Sequence, residues 1–169
     1  FLLLVMTGEH VMEKAFAKVE WTTIFFFVGL FVLVAGLIET GVIARLAAQA
    51  IELTGGELVA TSMLILWLSA IASAFLDNIP FVATMIPMIQ EIGNMGVANL
   101  EPLWWSLALG ACLGGNGSLI GASANLIVAG IAGREGYPIT FVQFLKYGFP
   151  LMLLSVALSN VYIVLRYLL

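Results

Sequence analysis

The sequence predicts an all-α polytopic membrane protein, and three observations support this fold class. Of its 169 residues, 62% are hydrophobic and only 9% are charged, whereas a soluble domain carries about 25% charged residues. The mean hydropathy is +1.12. Four uncharged stretches approach or exceed the roughly 20 residues that a helix needs to cross a bilayer, namely residues 21–38, 58–76, 102–133 and 147–165.

The first and last of these stretches fit simple transmembrane helices. Residues 9–20, which precede the first stretch, are polar and charged and are predicted to form an aqueous loop. Residues 41–53 place apolar side chains at helical spacing beside Arg45 and Gln49. This pattern is typical of an amphipathic helix that lies in the membrane interface.

The second stretch is predicted to form a re-entrant hairpin together with the residues that follow it. It ends at Asp77, and the next apolar run contains two prolines and is too short to cross alone. One arm is therefore predicted over residues 58–76 and the return arm over residues 81–92, joined by a tip at residues 77–80. Pro80 suits the first turn of the return helix, where a missing amide hydrogen costs nothing.

The third stretch, residues 102–133, is too long for one span, since its 32 residues would form a helix of roughly 48 Å. Four glycines near its middle each weaken a helix by about 1 kcal/mol relative to alanine. We therefore predict two half-helices with an unwound segment at residues 114–125. An alternative is close helix packing, because two pairs of glycines are spaced four residues apart, as in small-residue packing motifs.

The placement of lysine and arginine predicts the orientation. With the hairpin and the broken helix arranged in this way, four of the six basic residues lie on the side of the first loop and two on the opposite side. This favours a cytoplasmic first loop, because basic residues are enriched in cytoplasmic loops. The hairpin then enters the membrane from the outer side.

Polar residues at the two interruptions are candidates for an ion or substrate site. Asp77 is the only aspartate in the chain, and a carboxylate within the bilayer marks ion or proton pathways. The alternative is that Asp77 only caps the helix that follows it. Two breaks in neighbouring apolar segments point to the site of a secondary transporter, since irregular backbone at membrane depth must be buried in protein or line a cavity. The candidate ion- or substrate-binding residues are Asp77, Asn78, Thr84, Gly115, Asn116, Ser118, Ser123 and Asn125, and Na⁺ is expected at Asp77, Asn78, Asn116, Ser123 and Asn125.

Catalytic functions find no support in the sequence. A serine protease needs a base near its nucleophile, and the sole histidine, His10, lies outside every apolar stretch. An aspartyl protease needs two carboxylates that share a proton. The single cysteine, Cys112, excludes a disulfide within the chain, and no basic patch suggests nucleic acid. No cofactor is expected, apart from Na⁺ or H⁺ as the coupling ion.

Three blocks of sequence resemble a known family: VEWTTIFFFVGLFVLV at residues 19–34, LDNIPFVATMIP at residues 76–87 and LGGNGSLIGASAN at residues 113–125. In this order they are similar to the arsenite permease and melanosomal P protein family. That family belongs to the ion transporter superfamily, together with the sodium-coupled dicarboxylate and citrate carriers. The resemblance covers nearly the whole chain and is nearest to the second half of those proteins.

The resemblance implies one half of an inverted-repeat carrier, with a re-entrant helical hairpin and a broken transmembrane helix, that works as an elevator-like homodimer. It divides the chain into residues 1–20, the end of a preceding membrane segment plus a cytoplasmic loop; residues 21–56, a scaffold helix and an interfacial arm helix; residues 57–133, the substrate-site hairpin and broken helix; and residues 134–169, a loop and the final transmembrane helix. The expected partners are the lipid bilayer and the inverted half, because the chain reads as an excerpt from a longer polypeptide.

Motifs and resemblance together predict a secondary active transporter of a small inorganic or organic ion, of the arsenite/anion or Na⁺/H⁺ type. Such a transporter is a multi-pass protein of the cell inner or plasma membrane. The dicarboxylate branch has Ser-Asn-Thr at the hairpin tip, whereas this chain has Asp77-Asn78-Ile79. A negative tip disfavours a dianion and suits a cation, a proton or a neutral solute such as arsenite. Two alternatives remain open, a channel-like pore and a non-transporting membrane scaffold.

Overall fold

The computed structural model of the chain describes Val19 and residues 21–169. Over these residues it contains seven α-helices and no strand, which confirms the predicted fold class. The helices are α1 (Trp21–Glu39), α2 (Val42–Thr54), α3 (Leu58–Phe75), α4 (Asn78–Asn94), α5 (Glu101–Gly114), α6 (Ser123–Arg134) and α7 (Phe141–Ile163). A 3₁₀ turn, Gly115–Gly117, follows α5, and a π turn, Val164–Leu168, follows α7. Apart from Val19, the predicted aqueous loop and the segment before it lie outside the described residues.

The chain divides into two compact units, Phe1–Ala35 and Gly36–Leu169, and the division falls inside α1. In the first unit, α1 exposes apolar side chains such as those of Phe25 and Leu33, as expected of a helix that faces lipid. The elements that carry the candidate site all lie in the second unit.

Within the part of the chain that the structure describes, two helices are long and apolar enough to cross a membrane, α3 and the last helix with its π turn, Phe141–Leu168. The bent pair α1 and α2 adds a third span if the pair is counted as one. The last helix begins at Phe141 and not at the predicted Tyr147, because Thr140 and Gln143 form a capping box in which the Thr140 hydroxyl accepts the Gln143 amide hydrogen at 3.3 Å. These spans make the chain an integral, multi-pass membrane protein.

Helix α2 uses its apolar face to pack on protein. Ile43, Ala47 and Ala50 are buried, and they share one core cluster with Ile89 of α4. Burial of this face gives α2 a fixed position beside α4. One face of α2 is therefore covered by protein. Only its remaining surface, where Leu53 is exposed, is available to the membrane interface, as the sequence predicts.

Helix α5 lies against α3 at distances that only glycine allows. A Cβ atom at Gly110 would lie 2.5 Å from the carbonyl oxygen of Leu66, and one at Gly114 would meet the backbone of Ala70. The close-packing alternative is therefore right for these two glycines, which still belong to helix α5. The unwound segment begins only after them.

Helix α7 packs on α3 through an apolar cluster that contains Met152 and Val156. The indole nitrogen of Trp67 on α3 also donates a hydrogen bond to the side-chain oxygen of Asn160 on α7, at 3.1 Å. A polar contact within an apolar interface fixes the rotation of one helix relative to the other. Helices α3, α5 and α7 thus form the support of the candidate site.

Candidate functional site

The hairpin tip is a short extended connection between α3 and α4. Asp77 is the N-cap of α4, and its Oδ1 accepts the amide hydrogen of Ile79 at 3.0 Å. Pro80 lies in the first turn of α4. Backbone amides in a first turn have no acceptor within the helix, so the missing amide hydrogen of proline costs nothing there. The capping alternative is therefore correct for one carboxylate oxygen of Asp77. The second oxygen takes no part in the cap.

The third apolar stretch is broken, as the sequence predicts. Helix α5 ends at Gly114 and α6 begins at Ser123, with the 3₁₀ turn and the extended residue Ser118 between them. A Cβ atom at Gly121 would lie 2.7 Å from the carbonyl oxygen of Gly115, so the two sides of the break approach each other closely. Gly115 and Gly121 are buried, which is the condition that irregular backbone must meet at membrane depth.

Two serine hydroxyls hold the break and α5 against α3. Ser118 is fully buried and donates a short hydrogen bond to the carbonyl oxygen of Ala74, in the last turn of α3. That carbonyl has no partner within its own helix. Ser73 donates to the carbonyl oxygen of Ala111 in α5, at 2.7 Å. The Ser118 hydroxyl hydrogen therefore serves packing, and its predicted role as a ligand stays a prediction.

The structure places the acidic tip beside the break. Oδ2 of Asp77 lies 3.5 Å from Oγ of Ser123, the first residue of α6. This distance is at the outer limit of a hydrogen bond. Two oxygens that bind one hard cation at about 2.4 Å, at a right angle to each other, lie about 3.4 Å apart. The separation of the two oxygens therefore suits a shared cation.

Asn125 closes the break with its side chain. Its Nδ2 donates to the carbonyl oxygens of Gly115 at 2.9 Å and Ser118 at 3.0 Å. Because these carbonyls lie where the helix is interrupted, the Asn125 amide supplements the few backbone donors there, such as the Gly121 amide, which also donates to the Ser118 carbonyl at 3.3 Å. No residue that the structure describes donates a hydrogen bond to Oδ1 of Asn125. This oxygen remains available to a cation or a substrate.

Asn125→Ala is expected to lower the free energy of unfolding by about 2 kcal/mol, since it removes two hydrogen bonds of about 1 kcal/mol each. Thermal unfolding of the purified protein in detergent measures the change. Asn94→Ala is the matched control, because the exposed Asn94 makes a single side-chain bond, to Glu91, and a surface substitution changes stability by about 0.5 kcal/mol or less. Equal unfolding temperatures for the two variants would show that Asn125 does not hold the break.

Asn116 points away from this arrangement. It is exposed and lines a cavity of about 630 Å³ together with Gln143 and Tyr147 of α7. Its carbonyl oxygen would lie 2.7 Å from a Cβ atom at Gly148. Asn116 therefore joins the break to α7. Its side chain takes no part in the contact between Asp77 and Ser123, and its role as a ligand stays a prediction.

The remaining predicted residues lie on the hairpin and in the break. Thr84 donates to the carbonyl oxygen of Pro80 at 3.0 Å and lines a groove that also contains Asp77. Asn78 is the half-buried first residue of α4. Gly115 contributes a carbonyl oxygen that Asn125 already binds. The structure thus brings Asp77 and Ser123 together and places Asn125 in the break itself, with the other predicted residues distributed around them.

The contribution of α7 was not predicted, because an uncharged stretch of this length fits a simple span. A glycine inside a transmembrane helix was the available signal: Gly148 allows the carbonyl of Asn116 to approach α7, and glycine in such a helix indicates close backbone contact. Gln143 and Tyr147 carried no comparable signal, since polar and aromatic residues are common at the ends of spans.

The donors present suit alkali cations and protons. Over Val19 and residues 21–169, no group of three or more histidine, cysteine, aspartate or glutamate side chains comes together to hold a metal ion. The tip and the break instead provide one carboxylate and neutral oxygens, from Asp77, Ser123 and Asn125. Hard cations prefer oxygen ligands of this kind.

Comparison with protein families gives a match to the citrate transporter family over residues 1–110, which is more than half of the chain. The chain belongs to the citrate transporter family. The matched residues include α2, both arms of the hairpin and most of α5. The predicted membership of the ion transporter superfamily is thereby confirmed.

Relatives of this citrate transporter family member are found in bacteria and in mammals. An uncharacterized transporter of Mycobacterium bovis is 45% identical over 167 residues, which are 98% of this chain and 39% of the relative. The P protein of Homo sapiens is 42% identical over 168 residues, 95% of this chain and 20% of that protein. The 46 kDa membrane protein of Mycobacterium leprae is 40% identical over 168 residues, 98% of this chain and 39% of the relative. The chain thus spans well under half the length of these relatives. No solved structure matches it.

Proposed function

We propose that this member of the citrate transporter family is part of a secondary active transporter that carries a small ion with the help of Na⁺ or H⁺. The relatives of the chain include proteins named transporters, and the chain itself is a multi-pass membrane protein. Its role is transport and not catalysis. The rest of the longer protein supplies the inverted half, and two such proteins form an elevator-like dimer.

One observation carries the proposal, the 3.5 Å separation of Asp77 Oδ2 and Ser123 Oγ. It places a carboxylate from the hairpin tip against the start of a half-helix that follows a break. In secondary transporters such a break lines the ion and substrate site, where unwound carbonyls coordinate the cation and the amino ends of half-helices face anionic groups. The carboxylate supplies the charge that compensates a cation as it loses water.

The arrangement suggests an order of binding. Asp77, Ser123 and the free oxygen of Asn125 bind the coupling cation, with Asn78 and Asn116 as further candidate ligands. An empty tip is negative and repels an anion, whereas a tip that holds Na⁺ or a proton is neutral. The cation therefore binds first and makes the site acceptable to an anionic substrate such as citrate, the substrate that the family name indicates. A neutral solute such as arsenite would not need this order.

The proposal predicts uptake that is saturable and driven by a cation gradient. The whole reading frame that encodes the chain is expressed, and the purified protein is reconstituted in liposomes with labelled citrate or arsenite outside. An inward Na⁺ or H⁺ gradient is expected to raise the initial rate of uptake about tenfold over the rate measured with equal cation concentrations on both sides. Unlabelled substrate inside the liposomes should accelerate entry of the labelled substrate by counterflow. Non-saturable flux without counterflow would indicate a pore, and no flux of any tested ion would support a scaffold.

A further inference from the structure

An apolar groove lies between α2 and the hairpin. It has a volume of about 650 Å³ and is lined by side chains of α2, α3 and α4 and of the connection between the two hairpin helices. The volume falls within the range of about 300–1,000 Å³ that is usual for small-molecule sites. Most of its lining is aliphatic or aromatic, including Leu46, Leu53, Leu68, Leu76, Phe81 and Met88.

The groove has one ionisable residue in its lining, and this residue is Asp77. Oδ1 of Asp77 is bound to the Ile79 amide, whereas Oδ2 has only the 3.5 Å contact to Ser123. A carboxylate oxygen has room for more than one hydrogen bond. The Asp77 carboxylate therefore places a negative charge at the tip end of an otherwise apolar groove.

The walls favour an apolar occupant. Leu68 is 45% exposed and Leu76 is 55% exposed, although both lie on the groove. Such side chains pack against an alkyl chain through van der Waals contacts, as they do against lipid. A carboxylate in the same groove favours a positive group at one end of the occupant, because opposite charges attract.

We infer that this groove, formed by α2, α3 and α4 around Asp77, is a binding site for a cationic amphiphile. Its ammonium group binds the carboxylate of Asp77, and its alkyl chain lies along Leu76 and Leu68. The site extends beyond the proposed transport reaction and meets it at Asp77 alone. The amphiphile and the coupling cation therefore exclude each other.

Protection of an introduced cysteine tests the site in the protein expressed from its whole reading frame and held in phospholipid nanodiscs. The exposed native Cys112 is first replaced by alanine. Leu68→Cys reports on the groove, and Ile71→Cys on the same helix is the control, since Ile71 is 48% exposed and does not line the groove. The probes are decylamine, decanol (chain without charge) and ethylamine (charge without chain), and the readout is the rate of maleimide modification.

Decylamine is expected to slow modification of Leu68→Cys at least fivefold and to leave Ile71→Cys unchanged, with effects below twofold for decanol and ethylamine. Adding Asp77→Asn should remove the difference between decylamine and decanol. Equal slowing at both positions would mean accumulation in the bilayer, and it would overturn the inference. Undiminished protection in the Asp77→Asn background would also overturn it. A Leu68→Cys variant that does not react even without a probe would overturn it as well, because another segment of the protein would then cover the groove.

The outcome separates this inference from the proposed function. Protection by decylamine in a protein that transports no tested ion would support the groove and contradict the transporter. Gradient-driven uptake without protection at Leu68→Cys would do the reverse.

Discussion

Asp77→Asn is expected to abolish the dependence of uptake on the cation gradient. The substitution removes the negative charge that faces Ser123 at 3.5 Å, and the apparent affinity for the coupling cation should fall about a hundredfold, since only neutral oxygens remain among the proposed ligands. Asparagine caps helices as well as aspartate does, so the hydrogen bond to the Ile79 amide is retained. The fold and the amount of protein in the membrane should not change.

Initial rates at several Na⁺ concentrations and pH values, in liposomes that contain equal amounts of protein, measure this effect. Glu91→Gln is the matched control, because it removes a carboxylate from the same helix, α4, at a position bonded to Asn94. It should leave the cation dependence unchanged. Gradient-driven uptake that persists in Asp77→Asn would remove Asp77 from the coupling mechanism.

Gly114→Ala is expected to have the largest effect on stability. The added methyl group would meet the carbonyl oxygen and Cα of Ala70, and backbone atoms cannot move aside as a side chain does. The two helices must separate, which should lower the free energy of unfolding by about 2–3 kcal/mol, at the upper end of the cost of overpacking a core. Thermal unfolding of the purified protein in detergent measures the loss.

Gly130→Ala provides the comparison. Gly130 also lies inside a helix, α6, but a Cβ atom there would meet nothing within 4 Å. Alanine in a helix interior is favoured over glycine by about 1 kcal/mol, so this variant should unfold at the same temperature or higher. A Gly114→Ala variant as stable as Gly130→Ala would show that α3 and α5 pack less closely than described.

The sequence was sufficient to predict the helices and both interruptions. Apolar length and the position of Asp77 predicted the turn between α3 and α4, and the glycines predicted the break between α5 and α6. These features depend on local properties, namely the length of apolar stretches and the low helix propensity of glycine. The capping role of Asp77 also followed from local sequence, because an acidic residue before a helix start is a common N-cap.

The partners of the polar side chains could not be predicted in this way. Ser118 and Ser123 lie five residues apart, yet Ser118 is buried against Ala74 and Ser123 is exposed beside Asp77. The difference arises from the extended backbone at Ser118, which turns its side chain towards α3. Contacts between residues distant in sequence depend on tertiary packing, which no spacing rule contains. The cavity that Asn116 shares with α7 was missed for the same reason.

The two oxygens of Asp77 have different partners, and this joins the secondary structure of the hairpin to its chemistry. Oδ1 keeps the Ile79 amide within the first turn of α4, while Oδ2 faces the break. A carboxylate that rotates to bind an incoming ion with both oxygens must release that amide. If Asp77 binds the coupling ion as proposed, ion binding competes with the cap, and the order of the first residues of α4 is expected to differ between the empty and the occupied site.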